Sequence, residues 1–67
     1  MISLTINGQS HSFTRAPTVS EMLTHLKLAA RRIAVERNGE IIPRSQFDTI
    51  TLNAGDHVEI VVAVGGG

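Results

Sequence analysis

The chain of 67 residues contains no cysteine, tryptophan or tyrosine, and its aromatic residues are Phe13 and Phe47. The absence of cysteine excludes disulfide bonds, cysteine-ligated zinc or iron–sulfur clusters, and any thiol nucleophile carried by the chain itself. The scarcity of aromatic residues means that a core must be built from isoleucine, valine and leucine. A chain this short forms one small domain that buries only ~60% of its unfolded surface, so we expect a modest net stability.

The chain also lacks an excess of either charge and any long apolar run. Six acidic residues balance six basic residues. Nucleic acid is not expected as a partner, because phosphate binding needs a concentration of lysine and arginine. The one basic pair, Arg31-Arg32, is interpreted as a solvated loop. No apolar run approaches the ~20 residues of a membrane-spanning helix, and no signal peptide precedes the first strand. We therefore expect a cytoplasmic protein without a membrane partner.

No residue pattern predicts catalysis or a metal site. The serine, histidine and aspartate residues do not stand in a nucleophile-elbow context. The terminal glycine run lacks the lysine and the following helix of a phosphate-binding loop. His11, His25 and His57 are expected on a strand, a helix and the edge of a turn, which favours solvated or packed histidines over metal ligands. We predict no catalytic residue, no metal and no bound cofactor.

The first half of the chain predicts a hairpin followed by a helix. Ile2, Leu4 and Ile6 alternate with polar residues, which is the pattern of a half-buried strand. Asn7-Gly8 supplies a tight hairpin turn, and residues 10–14 return as the second strand. A capping box from Thr18 to Glu21 then begins a helix of about two to three turns. Its apolar face is formed by residues at helical spacing, namely Val19, Met22, Leu23 and Leu26.

The second half predicts further strands. Residues 33–37 form a strand, Asn38-Gly39 forms a second hairpin turn, and residues 40–42 return from it. Residues 44–48 form a loop or a single helical turn anchored by Phe47, and residues 50–52 form a short strand. After a turn at residues 53–56, the last strand carries the clearest alternation of apolar residues, at Val58, Ile60, Val62 and Val64.

Together these elements predict an α+β fold in which one helix covers one face of a mixed sheet. The first and last strands have the cleanest apolar alternation, so we expect them to be neighbours at the centre of the sheet. This is the ubiquitin-like β-grasp plan, here with four to five strands. We predict a β-grasp domain at residues 1–64 and a flexible tail at residues 65–67.

The tail Gly65-Gly66-Gly67 is either a frayed end without a role or the functional segment of the molecule. Glycine has no side chain to bury and loses the most backbone freedom on ordering, so the fold gains nothing from it. A thin tail reaching about 10 Å from the body suits a narrow active site on another protein. Its carboxylate has a reference pKa of about 3.5 and is ionised at neutral pH, so it is a poor electrophile. Activation must come from a partner.

Three stretches of the chain resemble the ThiS family of sulfur carrier proteins. They are Val35-Glu36-Arg37-Asn38-Gly39-Glu40-Ile41-Ile42-Pro43-Arg44, then Leu52-Asn53-Ala54-Gly55-Asp56-His57-Val58-Glu59-Ile60, and finally Val64-Gly65-Gly66-Gly67. Asn-Gly hairpins and Gly-Asp turns are common individually. Their order, the compact length and the terminal glycines together make the resemblance specific, and it covers essentially the whole chain.

The resemblance implies a carrier that is not itself an enzyme and donates sulfur for the thiazole of thiamine. A ThiF-type adenylyltransferase would use ATP to adenylylate the carboxylate of Gly67. A cysteine desulfurase or other sulfur donor would then supply the sulfur of a thiocarboxylate, which thiazole synthase (ThiG) would accept. Gly65, Gly66 and Gly67 would enter the partners' active sites. From the strand alternation, Val61 and Ala63 are candidates for a docking face, unless the protein's own loops cover them.

Three alternatives stay open. A MoaD-like carrier for molybdopterin synthesis would use the same tail chemistry with a different acceptor. A ubiquitin-like modifier would be joined through Gly67 to lysines of target proteins, although the single lysine of this chain, Lys27, offers few sites for chains of itself. An inert β-grasp interaction module would keep its function after removal of the tail, whereas the other classes would lose theirs.

Overall fold

The computed structural model describes residues 1–63, which form five strands and one α-helix. In chain order the elements are β1 (Ile2–Ile6), β2 (Gln9–Phe13), α1 (Val19–His25), β3 (Ile33–Arg37), β4 (Glu40–Ile42) and β5 (His57–Val62), with a 3-10 turn at Arg44–Gln46. Across residues 1–63, no helix has the length and apolar composition that crossing a membrane requires. The predicted boundary between domain and tail, at residues 64 and 65, lies outside the described residues.

The strands form one mixed sheet in the order β2-β1-β5-β3-β4. β1 and β5 run parallel, and every other neighbouring pair is antiparallel. The prediction that the first and last strands are neighbours, with the last at the centre, is confirmed. Their inward residues alternate with exposed ones, because each strand buries one face beneath the helix. The α+β, β-grasp architecture expected from the sequence is therefore the observed one.

Two Asn-Gly turns close the two hairpins. The φ angles are 49° and 82° in Asn7-Gly8, and 52° and 88° in Asn38-Gly39. Positive φ at both central residues is the geometry of a two-residue turn that matches the twist of the strands. The first turn places Ile6 opposite Gln9. The second strand therefore begins at Gln9 and ends at Phe13, one residue earlier at each end than predicted.

The helix begins at the predicted capping box. The Glu21 N–H donates to the Thr18 hydroxyl oxygen at 3.1 Å, and the Thr18 N–H donates to the Glu21 carboxylate at 2.9 Å. α1 has seven residues, the short end of the predicted length. Two residues after the end of α1, Lys27 adopts the left-handed conformation, with a φ of 62°, and the chain turns away from the helix there. The helix buries Val19, Met22 and Leu23.

The core is mainly aliphatic, as the composition requires, and both phenylalanines belong to it. Phe47 is only 8% exposed and anchors the 3-10 turn, which confirms the single helical turn predicted there. The buried apolar side chains are Leu4, Ile6, Phe13, Val19, Met22, Leu23, Val35, Ile42, Phe47, Leu52, Val58 and Ile60.

The short strand predicted at residues 50–52 is wrong. This segment forms only an isolated antiparallel bridge between Thr51 and Thr18. The Leu52 N–H donates to the Pro17 carbonyl at 2.8 Å, so the segment pairs with the residues that lead into α1. Because that neighbouring chain turns into a helix after Thr18, the pairing cannot extend into a ladder.

Candidate functional site

The described chain leaves the sheet from its central strand. β5 ends at Val62, and the Ala63 N–H donates to the Arg32 carbonyl at 2.9 Å. The chain is thus held against the start of β3 as far as Ala63. The glycines predicted to carry the chemistry, residues 65–67, follow this point and lie outside the described residues. The part of the candidate site that the structure describes is therefore the base of the tail.

An apolar patch lies beside the base of the tail on the face of the sheet opposite α1. Val61 is 65% exposed, and Ala63 is exposed on the same face. Val62 points to the helix side and is half-buried. Ala34 stands opposite Val61 on β3 and is also exposed. We call Ala34, Val61 and Ala63 the tail-base patch. Loops within residues 1–63 do not cover it, so the exposure required of a docking face is present.

Carboxylates follow the tail-base patch along the same face. Glu36 and Glu59 stand directly opposite each other on β3 and β5, one row further from the tail. Like charges in this position repel each other and weaken a sheet slightly. Ile41 stands opposite Glu36 on β4 and is 65% exposed. The open face therefore carries small apolar groups next to the tail and acidic groups behind them.

Asn7 stabilises the strand that carries the tail, a role that the sequence analysis did not find. Its backbone N–H donates to the Val58 carbonyl at 2.9 Å. Its side-chain amide accepts from the Ile60 N–H at 2.7 Å and donates to the Ile60 carbonyl at 3.1 Å. The side chain thus makes the hydrogen bonds to Ile60 that a further backbone residue of β1 would make if the strand did not turn after Ile6. The sequence signal at this position, Asn-Gly, indicates only the turn.

The basic pair Arg31-Arg32 lies in the exposed connection between α1 and β3, as the loop interpretation requires. Its position relative to the tail was not predicted. The hydrogen bond from Ala63 to the Arg32 carbonyl places the pair beside the end of β5. No local sequence pattern connects residues so far apart in the chain.

The histidines and carboxylates of the described chain are not assembled into a reactive centre. His11 lies on β2, His57 begins β5, and His25 ends α1 with its ring centroid 4.8 Å from that of Phe13. Within residues 1–63, no group of three or more histidine, aspartate or glutamate side chains is placed to hold a metal ion. The backbone hydrogen bond from Thr18 lowers the pKa of Glu21, which marks a helix cap.

Comparison with known proteins links this geometry to one family. The model of the ThiS family matches residues 4–67. The sulfur carrier protein ThiS of Bacillus subtilis is 34% identical over 65 residues, covering 96% of this chain and 98% of that protein. A solved structure of the thiamine biosynthesis protein ThiS of Geobacter metallireducens is 40% identical, with a TM-score of 0.82, and the match covers 98% of this chain and 100% of that one.

A further relative is longer than this chain. The thiazole synthase of Paramagnetospirillum magneticum is 42% identical over 66 residues, which cover 98% of this chain and 20% of that protein. The thiazole synthase of Magnetococcus marinus matches in the same way, over 92% of this chain and 19% of that protein. The chain thus spans about a fifth of the length of these relatives.

Proposed function

The chain belongs to the ThiS family, and on this premise we propose that it is a sulfur carrier of thiamine biosynthesis whose reactive group is the carboxylate of Gly67. The observation that carries the proposal is the extent of the family match, which runs through the β-grasp body and includes every residue of the glycine tail. The position of the tail fits this role, since it follows a central strand that is hydrogen-bonded on both sides.

The proposed chemistry uses a partner's ATP, because this chain supplies only the carboxylate. Attack of the Gly67 carboxylate on the α-phosphorus of ATP forms an acyl adenylate and releases pyrophosphate. Sulfur at the oxidation level of hydrosulfide then attacks the carbonyl carbon, AMP leaves with the bonding electrons, and a thiocarboxylate and one proton remain. The product is a sulfur nucleophile in its ionised form, which is the reactive form of sulfur. The carrier is a co-substrate in this scheme and not an enzyme.

The proposed partners follow from these steps. A ThiF-type adenylyltransferase forms the adenylate. A cysteine desulfurase provides sulfur as a persulfide, which a thiol reductant must bring to the hydrosulfide level, the reductant itself being oxidised to a disulfide; another donor could provide hydrosulfide directly. Thiazole synthase accepts the sulfur. Thiazole synthase is favoured as acceptor because relatives of this chain form part of proteins with that name. Joining two modules in one chain raises their effective concentration, which suits parts that act on the same substrate. We place the reaction in the cytoplasm, where ATP is abundant.

We propose that the tail-base patch docks on these partners. Residues 64–67 span at most about 14 Å when fully extended, so the surface around Ala63 must lie close to any active site that Gly67 reaches. Val61 offers an apolar side chain at this position, and small neighbours at Ala34 and Ala63 allow a partner surface to approach closely. Burial of one valine side chain contributes about 1.5–3 kcal/mol when it is complete.

Intact-mass spectrometry tests the carrier chemistry. The purified chain is incubated with the ThiF-type enzyme of its own organism, ATP and sodium sulfide. We expect the mass increase of one oxygen exchanged for sulfur, located to the C-terminal peptide by fragmentation. The control omits ATP and should leave the mass unchanged. A full-length chain that acquires neither adenylate nor sulfur would show that the proposed function is wrong.

A pair of variants tests the docking face. Val61→Glu introduces a charge into the tail-base patch, whereas Ile41→Glu introduces it at an equally exposed side chain on β4, two strands away. We expect Val61→Glu to raise the KM for adenylylation about tenfold or more, since a charge would be buried without a partner. Ile41→Glu should have little effect. Equal KM values for the two variants would contradict docking through this patch.

A further inference from the structure

The formal charge of the chain is zero, but its charges are unevenly distributed along the sequence. Residues 22–35 contain Lys27, Arg31 and Arg32 and no acidic residue. These bases lie in the connection between α1 and β3, at the end of the sheet where β5 finishes. The Ala63 hydrogen bond to Arg32 fixes this connection beside the base of the tail.

A fourth base extends the charge along the same side. Arg44 follows β4 and lines a surface groove together with Arg31 and Ile33. Asp48 lines the same groove, and its carboxylate accepts a hydrogen bond from the Ser20 hydroxyl. We call Lys27, Arg31, Arg32 and Arg44 the basic cluster; all four are exposed.

No member of the basic cluster is neutralised by an ion pair within residues 1–63. The salt bridge found there joins Arg15 and Glu21, near the start of α1 at the far end of the helix. Glu40 and Asp56 also lie at that end, near the Asn38-Gly39 turn. The end of the sheet where β5 finishes is therefore positive, whereas the opposite end mixes these carboxylates with Arg15 and Arg37.

We propose that the basic cluster docks on an acidic protein surface that surrounds the mouth of the adenylylating partner's active site. This inference rests on the proposed function and adds the chemistry of the partner's surface. The length of the tail supports it, because residues 64–67 span at most about 14 Å. When Gly67 reaches the reacting atoms, the groups around Ala63 must face the rim of that site. Unpaired arginines at such a rim favour carboxylates, with which the planar guanidinium forms paired hydrogen bonds.

The distribution of charge favours a protein partner surface over nucleic acid. Nucleic acid binding relies on many phosphate contacts from an extended basic surface. Here the acidic pair Glu36 and Glu59 occupies the neighbouring sheet face, and the chain has no net positive charge. A small positive region next to a negative one suits a complementary protein surface that also sets the orientation of docking.

The test compares two variants with the same change in net charge. Arg31→Gln combined with Arg32→Gln removes two positive charges from the basic cluster and retains the backbone carbonyl that binds Ala63. Arg15→Glu makes the same change in net charge at the opposite end, at a side chain that is 78% exposed. Association with the ThiF-type enzyme of the same organism is measured by stopped flow at low and high salt.

We expect the double variant to associate about tenfold more slowly than the wild type at low salt, because charges at a rim act mainly on the association rate. The rates should converge at about 1 M salt, where the Debye length falls to about 3 Å. Arg15→Glu should associate at nearly the wild-type rate. Equal rates for wild type and double variant, or an equal loss with Arg15→Glu, would overturn the proposal.

The adenylylation assay separates this inference from the proposed function. If the wild type is adenylylated and the double variant associates normally, only the basic cluster proposal fails. If the wild type is never adenylylated, both proposals fail. A loss that appears in the KM for ATP, with association unchanged, would also overturn the basic cluster proposal, because it would place the arginines at the nucleotide.

Discussion

Replacing Asn7 with glycine tests how the central strand is held in position. The side chain of Asn7 satisfies both backbone groups of Ile60, at 2.7 and 3.1 Å, across a separation of 53 residues. Glycine keeps the freedom to adopt the positive φ that this turn position requires, so the backbone of the turn is not strained. In the folded state the substitution therefore removes the two side-chain hydrogen bonds and little else, and the extra backbone freedom that glycine gives the unfolded chain is matched in a second variant, Asn38→Gly.

The size of the effect follows from these two bonds. A typical intramolecular hydrogen bond contributes about 0.5–1.5 kcal/mol, so their joint loss should cost about 2 kcal/mol. For a domain of this size each kcal/mol lowers the Tm by about 4–8 °C, which gives a decrease of about 8–16 °C. This is a large part of the stability expected for so small a domain.

Far-UV circular dichroism during urea and thermal unfolding is the suitable assay, because the chain has no tryptophan or tyrosine for fluorescence. Asn38→Gly is the matched control, since Asn38 has a φ of 52° in the other Asn-Gly turn. Its side chain accepts from the His57 N–H at 2.9 Å and donates to the Asp56 carboxylate at 3.2 Å, both in exposed surroundings.

We expect Asn38→Gly to cost about half as much as Asn7→Gly, since exposed hydrogen bonds exchange readily with water. A loss below about 0.5 kcal/mol for Asn7→Gly, or a larger loss for Asn38→Gly, would refute the role assigned to the Asn7 side chain.

Three further predictions concern the core, the helix cap and the tail. Ile60→Asp should abolish the cooperative thermal transition seen by circular dichroism, because Ile60 is only 7% exposed and the buried charge would have no partner. Val61→Asp, at the neighbouring exposed position, should stay folded and keep its transition. Glu21→Gln keeps a side chain that can accept the capping hydrogen bond but loses the charge. The pKa of Glu21 is lowered in the folded state, so its charge stabilises the fold above about pH 4.3, and this contribution is lost as the pH falls through the folded-state pKa. The unfolding free energies of wild type and variant should therefore converge in acid. A difference between them that does not change with pH would contradict this. Deletion of Gly67 shortens the reach by about 3.5 Å, and Gly66→Val widens the tail; each should reduce sulfur transfer ~100-fold in the mass-spectrometric assay, with an unchanged melt.

Short-range patterns in the sequence determined most of the secondary structure. Alternation identified β1 and β5, two Asn-Gly pairs located the hairpins, and the spacing from Thr18 to Glu21 located the start of α1. These signals work because strand faces, positive φ and capping depend on residues within a few positions of one another. The family resemblance likewise rests on local stretches, and it indicates Gly67 as the reactive residue.

Tertiary structure decided which distant groups meet. Residues 50–52 have the composition of a strand, but the chain beside them turns into α1, so no ladder forms. The Asn7 amide binds Ile60 only because β1 ends where β5 continues, which leaves backbone groups in need of partners. In the same way, Arg32 lies beside Ala63 because the antiparallel pairing of β3 and β5 places the start of β3 next to the end of β5. Such pairings depend on which backbone groups the packed sheet leaves unpaired, and no short stretch of sequence contains that information.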